Sequence, residues 1–595
     1  MAYYKGKYRK GAIQAYWESE MKPVKVKVSA PRRPRRTGAR KQKPERPSSE
    51  VVQRVAEIML SEERVRELAA IRDLADDVLA WGVAHGVVMY REPIAKFQAT
   101  SVPVAILPTP FAEDLYEEAK AMAGDFHALM DKITCDIPWL RQTLEQTGKM
   151  DVICGRLLGI CDRVYGQGKK DHRSDIRLHI MRNDFMLDTQ VGAGGFAARQ
   201  IELNMIAASF STHCEDLTEI HRYVLSKYLP RLDSRLTSAS LERMLGKALP
   251  KSPNAAGISD ALAGAHERYV RRWQPTGKPR VVLFVSGAAE KNELDHRKLE
   301  VALFKRHGVV AIRRSLGDLS SQRETLLVPL EPEPPASKAA GVMPQAVENS
   351  DGTAIPKALI VDGHEVTVAY FREGYWPDNF DPLEGCWAAR EDMEVSQAVK
   401  CPSAPAQLAG MKKVQQLLCR SSGGLDRFVA PGIAERLRRT FARQSDPIED
   451  SESARAVVRS AEADPSAWVM KPQVEGSGEL LFDEDIPKAL RSKCREELAE
   501  FILMERIWPA VTWSAVYRAE DGKRAEILVR RSVAELGIFG VFLADGHAIL
   551  RNEAVGHLLR SKARDTSQGG VFVGNAVVDV PLLLPAELFW PAVSS

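Results

Sequence analysis

Apolar and polar positions recur along this chain with two periods, and the period changes partway through. From Ser48-Ser49-Glu50 onward, Val51, Val55, Ile58 and Met59 fall at helical spacing, with Ser48 or Ser49 able to cap the first turn. A second helical run carries Val65, Leu68, Ile71, Leu74, Val78 and Leu79 and is expected to end near His85-Gly86. After Pro108-Thr109-Pro110, one long amphipathic segment spans Phe111 to Ile133, and helices are expected to dominate to about residue 170. The pattern then becomes strand-like at Ile180–Met186, passes a Gly-rich turn at Gly192–Gly195, and resumes at Arg199–Ile206.

Further on, Arg280–Ser286 reads as a buried strand, Asn292–His307 as a helix and Val309–Arg313 as a second strand. Strand, helix and strand at this spacing predict a parallel βαβ unit. Residues 323–354, rich in Pro, Glu, Ala and Ser, read as an inserted loop before strands at Ala358–Val361 and Glu365–Phe371, joined by an Asp362-Gly363 turn. Lys412 and Lys413 start a helix inside Gln407–Gln416. The last third is sheet-like: Trp468–Met470, Ala499–Ile507, Glu526–Val529 and Ser532–Leu543 as an antiparallel pair, then Val555–Lys562. A Gly-rich loop, Gln568–Gly574, follows.

Composition adds bounds to this pattern. A chain of 595 residues is too long for one core. No apolar run approaches the roughly 18 residues that span a bilayer, and no apolar leader opens the sequence. A soluble protein of the cytoplasm is therefore expected. Eight cysteines without a CxxC pair argue for reduced thiols rather than a zinc site or disulfide framework. The net charge of +4 is unevenly placed. Residues 1–47 hold 15 of the 83 Lys and Arg but three of the 79 Asp and Glu, leaving a body with 68 basic and 76 acidic residues. The tail reads as a disordered basic extension, able to bind nucleic acid or simply solvated.

Five places in the chain suggest chemistry. Lys471-Pro-Gln-Val-Glu-Gly476 runs into Ser477-Gly478 behind a strand. Backbone N–H groups in such a loop can cradle phosphate, a lysine adds a point charge, and a carboxylate suits Mg²⁺. A hairpin turn with a solvated Lys and Glu has the same pattern. Glu202 and Asn204, two apart, share one strand face, with Ile201, Leu203 and Met205 on the other. That pair is either an oxygen set for Mg²⁺ or two polar residues on a solvated face. Lys412 near a helix start is unfavourable for the helix dipole unless an anion is present, and is otherwise a solvated lysine. Glu290 and Asn292 fall where the βαβ unit would bind a ligand, beyond the carboxyl end of its first strand. Met504 and Glu505 end a strand where a nucleotide base could lie.

Taken together, Gln200–Asn204, Tyr370–Tyr375, Gln407–Gln416, Lys471–Gly476, Ile502–Glu505, Glu535–Gly540 and Gly556–Lys562 resemble, in order, the motifs of eukaryotic-type glutathione synthetase, an ATP-grasp ligase family. The resemblance runs from about residue 60 to about residue 580. It implies an α/β (α+β) ATP-grasp fold with a parallel-sheet substrate-binding domain and a Gly-rich lid. The implied division is 1–47 tail, 48–274 helical and ATP-grasp portion, 275–400 substrate-binding domain with the 323–354 insertion, and 401–595 ATP-grasp domain with lid. It implies an ATP-dependent ligase joining γ-glutamylcysteine and glycine through an acylphosphate, working as a homodimer.

Position by position, the resemblance gives Glu202, Asn204 and Glu475 as Mg²⁺ ligands and Arg182, Lys471 and Arg560 as catalytic. It gives Lys412, Lys471, Glu475, Gly476, Ser477, Gly478, Glu479, Leu480, Phe482, Met504, Glu505, Arg506, Ile507, Glu535, Lys562 and Gln568 to ATP. It gives Arg182, Ile206, Ala207, Ala208, Ser209, Glu290, Lys291, Asn292, His296, Arg372 and Tyr375 to the dipeptide, and Arg560, Val571 and Phe572 to the glycine end. The arginines are expected as carboxylate forks. Four departures stand out: Ser477 for a common Gly, Glu479 and Leu480 for amides, His296 for a Gln, and Phe572 in a lid loop that is usually alanine-rich. A histidine there is expected to change charge with pH. Phe572 leaves β-alanine or serine open as acceptors. A non-catalytic ATP-grasp protein tethered to nucleic acid by its tail is the reading of another class.

Overall fold

Alternation in the sequence becomes strand parity in the structure, a computed structural model. It describes residues 49–593 apart from 92–97, 168, 192–194, 289, 322–325, 334–354, 381–383, 421–423, 473–479, 519–525, 567–568 and 572–573. The basic tail, most of the Gly192–Gly195 turn and most of the 323–354 insertion lie outside the described residues.

Helices open the described chain, as the spacing predicts, with two differences. The second run is two helices, Glu62–Ala69 and Arg72–Ala84, broken at Ile71, which takes an extended backbone. The break lets Leu68 and Leu74 both bury fully. The 111–133 segment begins as a strand rather than a helix. Strands β1 (Val88–Tyr90) and β2 (Ala99–Ser101) pair with each other, and β3 (Thr109–Ala112) takes up Phe111. Two helices, Glu113–Ala121 and Ala123–Thr134, follow. Helical spacing inside Phe111–Ile133 could not reveal that Phe111 pairs with Leu583 at the far end of the chain.

Next come β4 (Ile176–Val191) and β5 (Gly195–Asn204), an antiparallel hairpin. The βαβ unit follows as expected: β6 (Arg280–Val285), a helix at Glu293–His307, and β7 (Ala311–Arg314) parallel to β6. That helix stops at Gly308, whose φ of 68° suits glycine. Part of the predicted insertion is a strand, β8 (Leu326–Pro329), paired with β9 (Lys357–Val361). Then β10 (His364–Phe371) and β11 (Val399–Cys401) complete a sheet ordered β7-β6-β10-β9-β8 with β11 on β10.

A smaller antiparallel sheet holds β12 (Gln444–Ser445), β13 (Trp468–Pro472), β14 (Leu481–Phe482) and β15 (Phe501–Glu505). Beyond it run β16 (Val511–Arg518), β17 (Glu526–Asp545), β18 (Ala548–Ala563), β19 (Ala576–Asp579) and β20 (Pro581–Leu584). The two strands expected at 526–529 and 532–543 are one strand. Arg530 and Arg531 supply no turn chemistry, and β17 instead changes partner, meeting β16 early and β18 and β4 later. The resulting sheet, β19-β18-β17-β4-β5, joins residues 176–204 to residues 526–579. The described residues from 49 to 593 form one compact unit.

Candidate active site

Register across that sheet gathers the polar residues. Residues facing one another in adjacent strands point to the same face, and parity repeats every two residues. Arg182 stands opposite Asn204, and Asp184 stands opposite both Glu202 and Gly537. Glu535 stands between Met186 and Arg560, and Val533 stands opposite Lys562. Rows from four strands thus put Asn204, Glu202, Arg182, Asp184, Glu535, Arg560 and Lys562 on one face. Gly537 is required among them, since a Cβ there would lie 2.6 Å from Arg182 Cδ and from an Asp184 oxygen.

The small sheet supplies a second wall. Val469 pairs with Met504 and with Phe482, and Lys471 pairs with Ile502. The short helix Lys412–Leu418 brings Lys412 to the same place. A cleft of about 500 Å³ lies between the walls. It is lined by Glu202, Lys412, Lys471, Leu480, Phe482, Met504, Glu505, Arg506, Ile507, Glu535, Arg560 and Lys562 among others. These are twelve of the predicted residues, drawn from distant parts of the chain. Apolar Met186, Val469, Pro509 and Val533 also line it. Sequence reading missed these four, since each reads as ordinary core.

Hydrogen bonding fixes the polar face. Arg182 forks onto Asp184 through Nε at 2.6 Å and Nη2 at 2.7 Å. Arg560 donates to Asp184 at 3.0 Å and to Glu535. Asn204 turns its amide N–H₂ toward Asp184 at 3.0 Å and Glu202 at 3.3 Å. Lys471 donates to the Ile201 carbonyl at 3.4 Å. Arg506 lies over the Phe482 ring, 5.4 Å from its centre, and holds Asp483 at 3.0 Å.

Burial and crowding set the charges. Burial pushes Glu202 upward, but Lys412, Arg560, Lys471 and Arg182 outweigh it and hold the carboxyl below its ordinary value. Burial, with Lys412 and Lys562 nearby, lowers Lys471 to about 8. Burial and Arg560 bring Lys562 to about 8. Burial followed by repulsion from Arg182 lowers Arg560. The site is therefore a half-buried, cation-rich face suited to anionic charge. A pH dependence follows. Lysine is charged below its pKa, so nucleotide capture by the free enzyme, read as kcat/KM for ATP, should fall as pH rises through about 8. Thermal stability should rise from about pH 8 toward the ordinary lysine value of about 10.4, because the unfolded lysines then bind more protons than the folded ones. Parallel movement of the two quantities would contradict this assignment.

The residues predicted for the dipeptide cluster around Arg372. Its Nε donates to His296 Nε2 at 2.9 Å, Nη1 to the Ala208 carbonyl at 2.9 Å and the Tyr370 hydroxyl at 3.1 Å, and Nη2 to the Ala207 carbonyl and Ser209 Oγ, both at 3.2 Å. All five N–H donors of the guanidinium thus meet protein acceptors. The expected carboxylate fork is instead a clamp on the 207–209 turn, where Ala207 is left-handed with φ 51°. Ser209 links this cluster to the sheet face, because Arg182 Nη1 reaches its carbonyl at 3.5 Å. Glu290 accepts the Asn292 N–H at 2.7 Å, and burial raises its carboxyl. Asn292 donates to Asp295 at 3.1 Å, and the Lys291 carbonyl accepts from Tyr90 at 3.0 Å.

His296 differs from expectation. It is fully buried, and burial with Arg372 alongside holds its pKa well below the ordinary value. It stays neutral and accepts from Arg372. The dipeptide KM should accordingly show no histidine inflection between about pH 5.5 and 7.5. A fitted inflection in that interval, absent from His296→Gln, would contradict the neutral ring.

Ile206 and Tyr375 line a second cavity of about 220 Å³, which shares Pro472 with the first. Val571 is buried beside Gly569 and Gly570, which line the main cleft, and Gly570 has φ 138°. Glu475, Gly476, Ser477, Gly478, Glu479, Gln568 and Phe572 lie outside the described residues. Asp184 was missed outright, although its position two residues from Arg182 on a strand was the available signal.

A family model described as eukaryotic glutathione synthase, ATP binding domain, matches residues 69–583. Glutathione synthetase of Xenopus laevis is 33% identical over 522 residues, covering 86% of this chain and 97% of that protein. The Homo sapiens glutathione synthetase is 33% identical, covering 86% and 96%. The chloroplastic glutathione synthetase of Solanum lycopersicum is 33% identical, covering 86% and 84%. A glutathione synthetase-like effector of Globodera pallida superimposes with a TM-score of 0.61 at 18% identity, covering 86% of this chain and 96% of that one, which speaks for the fold.

Proposed function

The chain belongs to the eukaryotic glutathione synthetase family, and from that premise we propose how its own residues divide the work. The protein is an ATP-dependent carbon–nitrogen ligase that makes glutathione. In the proposed course, an oxygen of the cysteinyl carboxylate of γ-glutamylcysteine attacks the γ-phosphorus of ATP and ADP leaves. The glycine amine then attacks the acyl carbon, the C–O bond to phosphate breaks, inorganic phosphate departs and the amine loses a proton. Both steps need alignment and charge neutralisation more than covalent help.

The base would lie between Met504 and Val469 of the small sheet and Val533 and Met186 of the large one. Lys412, Lys471 and Lys562 would meet the phosphates, and Arg506 with Phe482 would border the nucleotide. Leu480 and the neighbouring loop outside the described residues, Glu475 to Glu479, would cover it. Arg182 and Arg560 would face the place where the two substrates meet and would stabilise the acyl phosphate's charge. The 207–209 turn, Glu290, Asn292 and Tyr375 would hold the dipeptide, with Arg372 and His296 bracing the turn. Val571 and Phe572 would close the glycine end, with Gln568 in the same lid.

The donor set fits Mg²⁺. Glu202 is held ionised, and Asn204 directs its N–H₂ end to carboxylates, which leaves its oxygen facing the other way. No cluster of three His, Cys, Asp or Glu that could hold a metal occurs among the described residues. One or two protein oxygens completed by phosphate and water are what Mg²⁺ commonly uses. Glu202, Asn204 and Glu475 would hold it, and when bound it neutralises charge on the transferring phosphate.

The observation that carries this reading is the strand register that puts Glu202, Arg182, Arg560 and Lys562 on one face, across the cleft from Lys471. ADP release should require both γ-glutamylcysteine and an amino acid, and glycine should outpace β-alanine and serine. No release with any acceptor would overturn it. Faster release with β-alanine or serine would reassign the acceptor. A homodimer is part of the same proposal and would show as twice the chain mass in sedimentation. So is a cytoplasmic location; no described helix is long and apolar enough to cross a membrane.

A further inference from the structure

Asp184 has no accessible surface and no role in the reading above. Its carboxylate receives both prongs of Arg182, at 2.6 and 2.7 Å, the Asn204 amide at 3.0 Å and Arg560 Nη2 at 3.0 Å. Three of these four bonds converge on one oxygen, Oδ2. A buried carboxylate with four donors is a rigid junction, because each charge-assisted bond restrains the others. Two guanidinium groups held on one buried carboxylate repel each other, and repulsion from Arg182 is felt at Arg560. A shared anion holds them side by side.

Asn204 is fixed by the same atom. An amide can present either its oxygen or its N–H₂ group, and the two ends have nearly the same shape. With the N–H₂ end bonded to Asp184 and Glu202, the oxygen faces away from them. We propose that Asp184 is the positioning residue of this site: it selects the Asn204 orientation that offers an oxygen to a divalent cation, and it ties Arg182 to Arg560 at the junction of the two substrates. This rests on the reading of Asn204 as a cation ligand and of the two arginines as substrate contacts.

Asp184→Asn keeps the shape and removes the charge. Its single oxygen cannot serve four donors, and its own N–H₂ faces them. Calorimetric titration of Mn²⁺ into the enzyme–ADP complex should show at least tenfold weaker binding. Affinity for ADP without metal should stay within about twofold, since none of the donors bound by Asp184 is a lysine of the phosphate side. The KM for γ-glutamylcysteine should rise at least tenfold. Because Asp184 acts through Asn204, the double variant Asp184→Asn/Asn204→Ala should bind Mn²⁺ no more weakly than Asn204→Ala alone. Multiplying losses, or a folded Asp184→Asn with both quantities within twofold of wild type, would overturn the proposal. If Asn204→Ala itself leaves Mn²⁺ binding unchanged, the metal reading fails, and the dipeptide KM of Asp184→Asn decides the arginine half by itself. Should Asp184→Asn not fold, Gly537→Ala takes its place. Its Cβ would press on Arg182 and Asp184 with every charge intact, so the same readouts and thresholds apply.

Discussion

Lys471→Met should lower kcat about a thousandfold while the protein stays folded and at least as heat-stable as wild type. A single preorganised positive donor aimed at a developing phosphate charge contributes on the order of a hundred- to a thousandfold. Lys471 is placed for the upper end. It is 9% exposed, at the end of a strand whose neighbour it pairs with, and shares its surroundings with Glu202, Lys412 and Lys562. The stability half of the expectation has an independent cause. Burial has already brought this ammonium to about 8, so the folded state strains to keep it charged. A methionine of similar length removes that strain. Steady-state kinetics with a thermal melt tests both halves. Activity within tenfold of wild type, or a clear fall in melting temperature, would remove Lys471 from the phosphate site.

Arg372→Ala should destabilise the fold by about 3 kcal/mol and reduce kcat/KM for γ-glutamylcysteine at least a hundredfold. Removing this guanidinium leaves five acceptors on three segments without donors, among them the Ala207 and Ala208 carbonyls and the neutral ring of His296. Each buried unsatisfied group costs on the order of 1–3 kcal/mol, reduced where water enters the space. The strained Ala207 conformation would also lose what holds it. Arg372→Lys should recover little, because three donors cannot serve five acceptors. ADP binding without dipeptide, followed by thermal shift, should be preserved in both variants, since the clamp lies away from the nucleotide cleft. Unfolding in denaturant gives the stability term. A stable Arg372→Ala protein with a high dipeptide KM would show that the arginine contacts substrate directly, as a carboxylate fork would.

These two variants separate two kinds of cation in the same protein. Lys471 is electrostatically unsettled without its anion, whereas Arg372 is fully satisfied by the fold. The first is a device for binding, at some expense in stability. The second contributes to stability and shapes a site only indirectly. The same distinction separates Lys562, lowered by burial and by Arg560, from Arg280, whose Nε donates to the buried Glu365 at 2.9 Å.

What the sequence determined by itself was local. Period-two alternation put Glu202 and Asn204 on one face, and the βαβ spacing from Arg280 to Arg313 fixed two parallel strands and the helix between them. The order of the quoted motifs identified the family and twelve of the residues that line the cleft. Only the tertiary structure decided what depends on register and burial. It made one strand of 526–545, turned Phe111 into a strand residue, filled Arg372 with protein acceptors, kept His296 neutral and made Asp184 the junction of Arg182, Asn204 and Arg560. Periodicity records which side of an element faces the core, a property of neighbours along the chain. Which residue stands opposite Asp184, and how much water reaches His296, depends on segments far off along the chain.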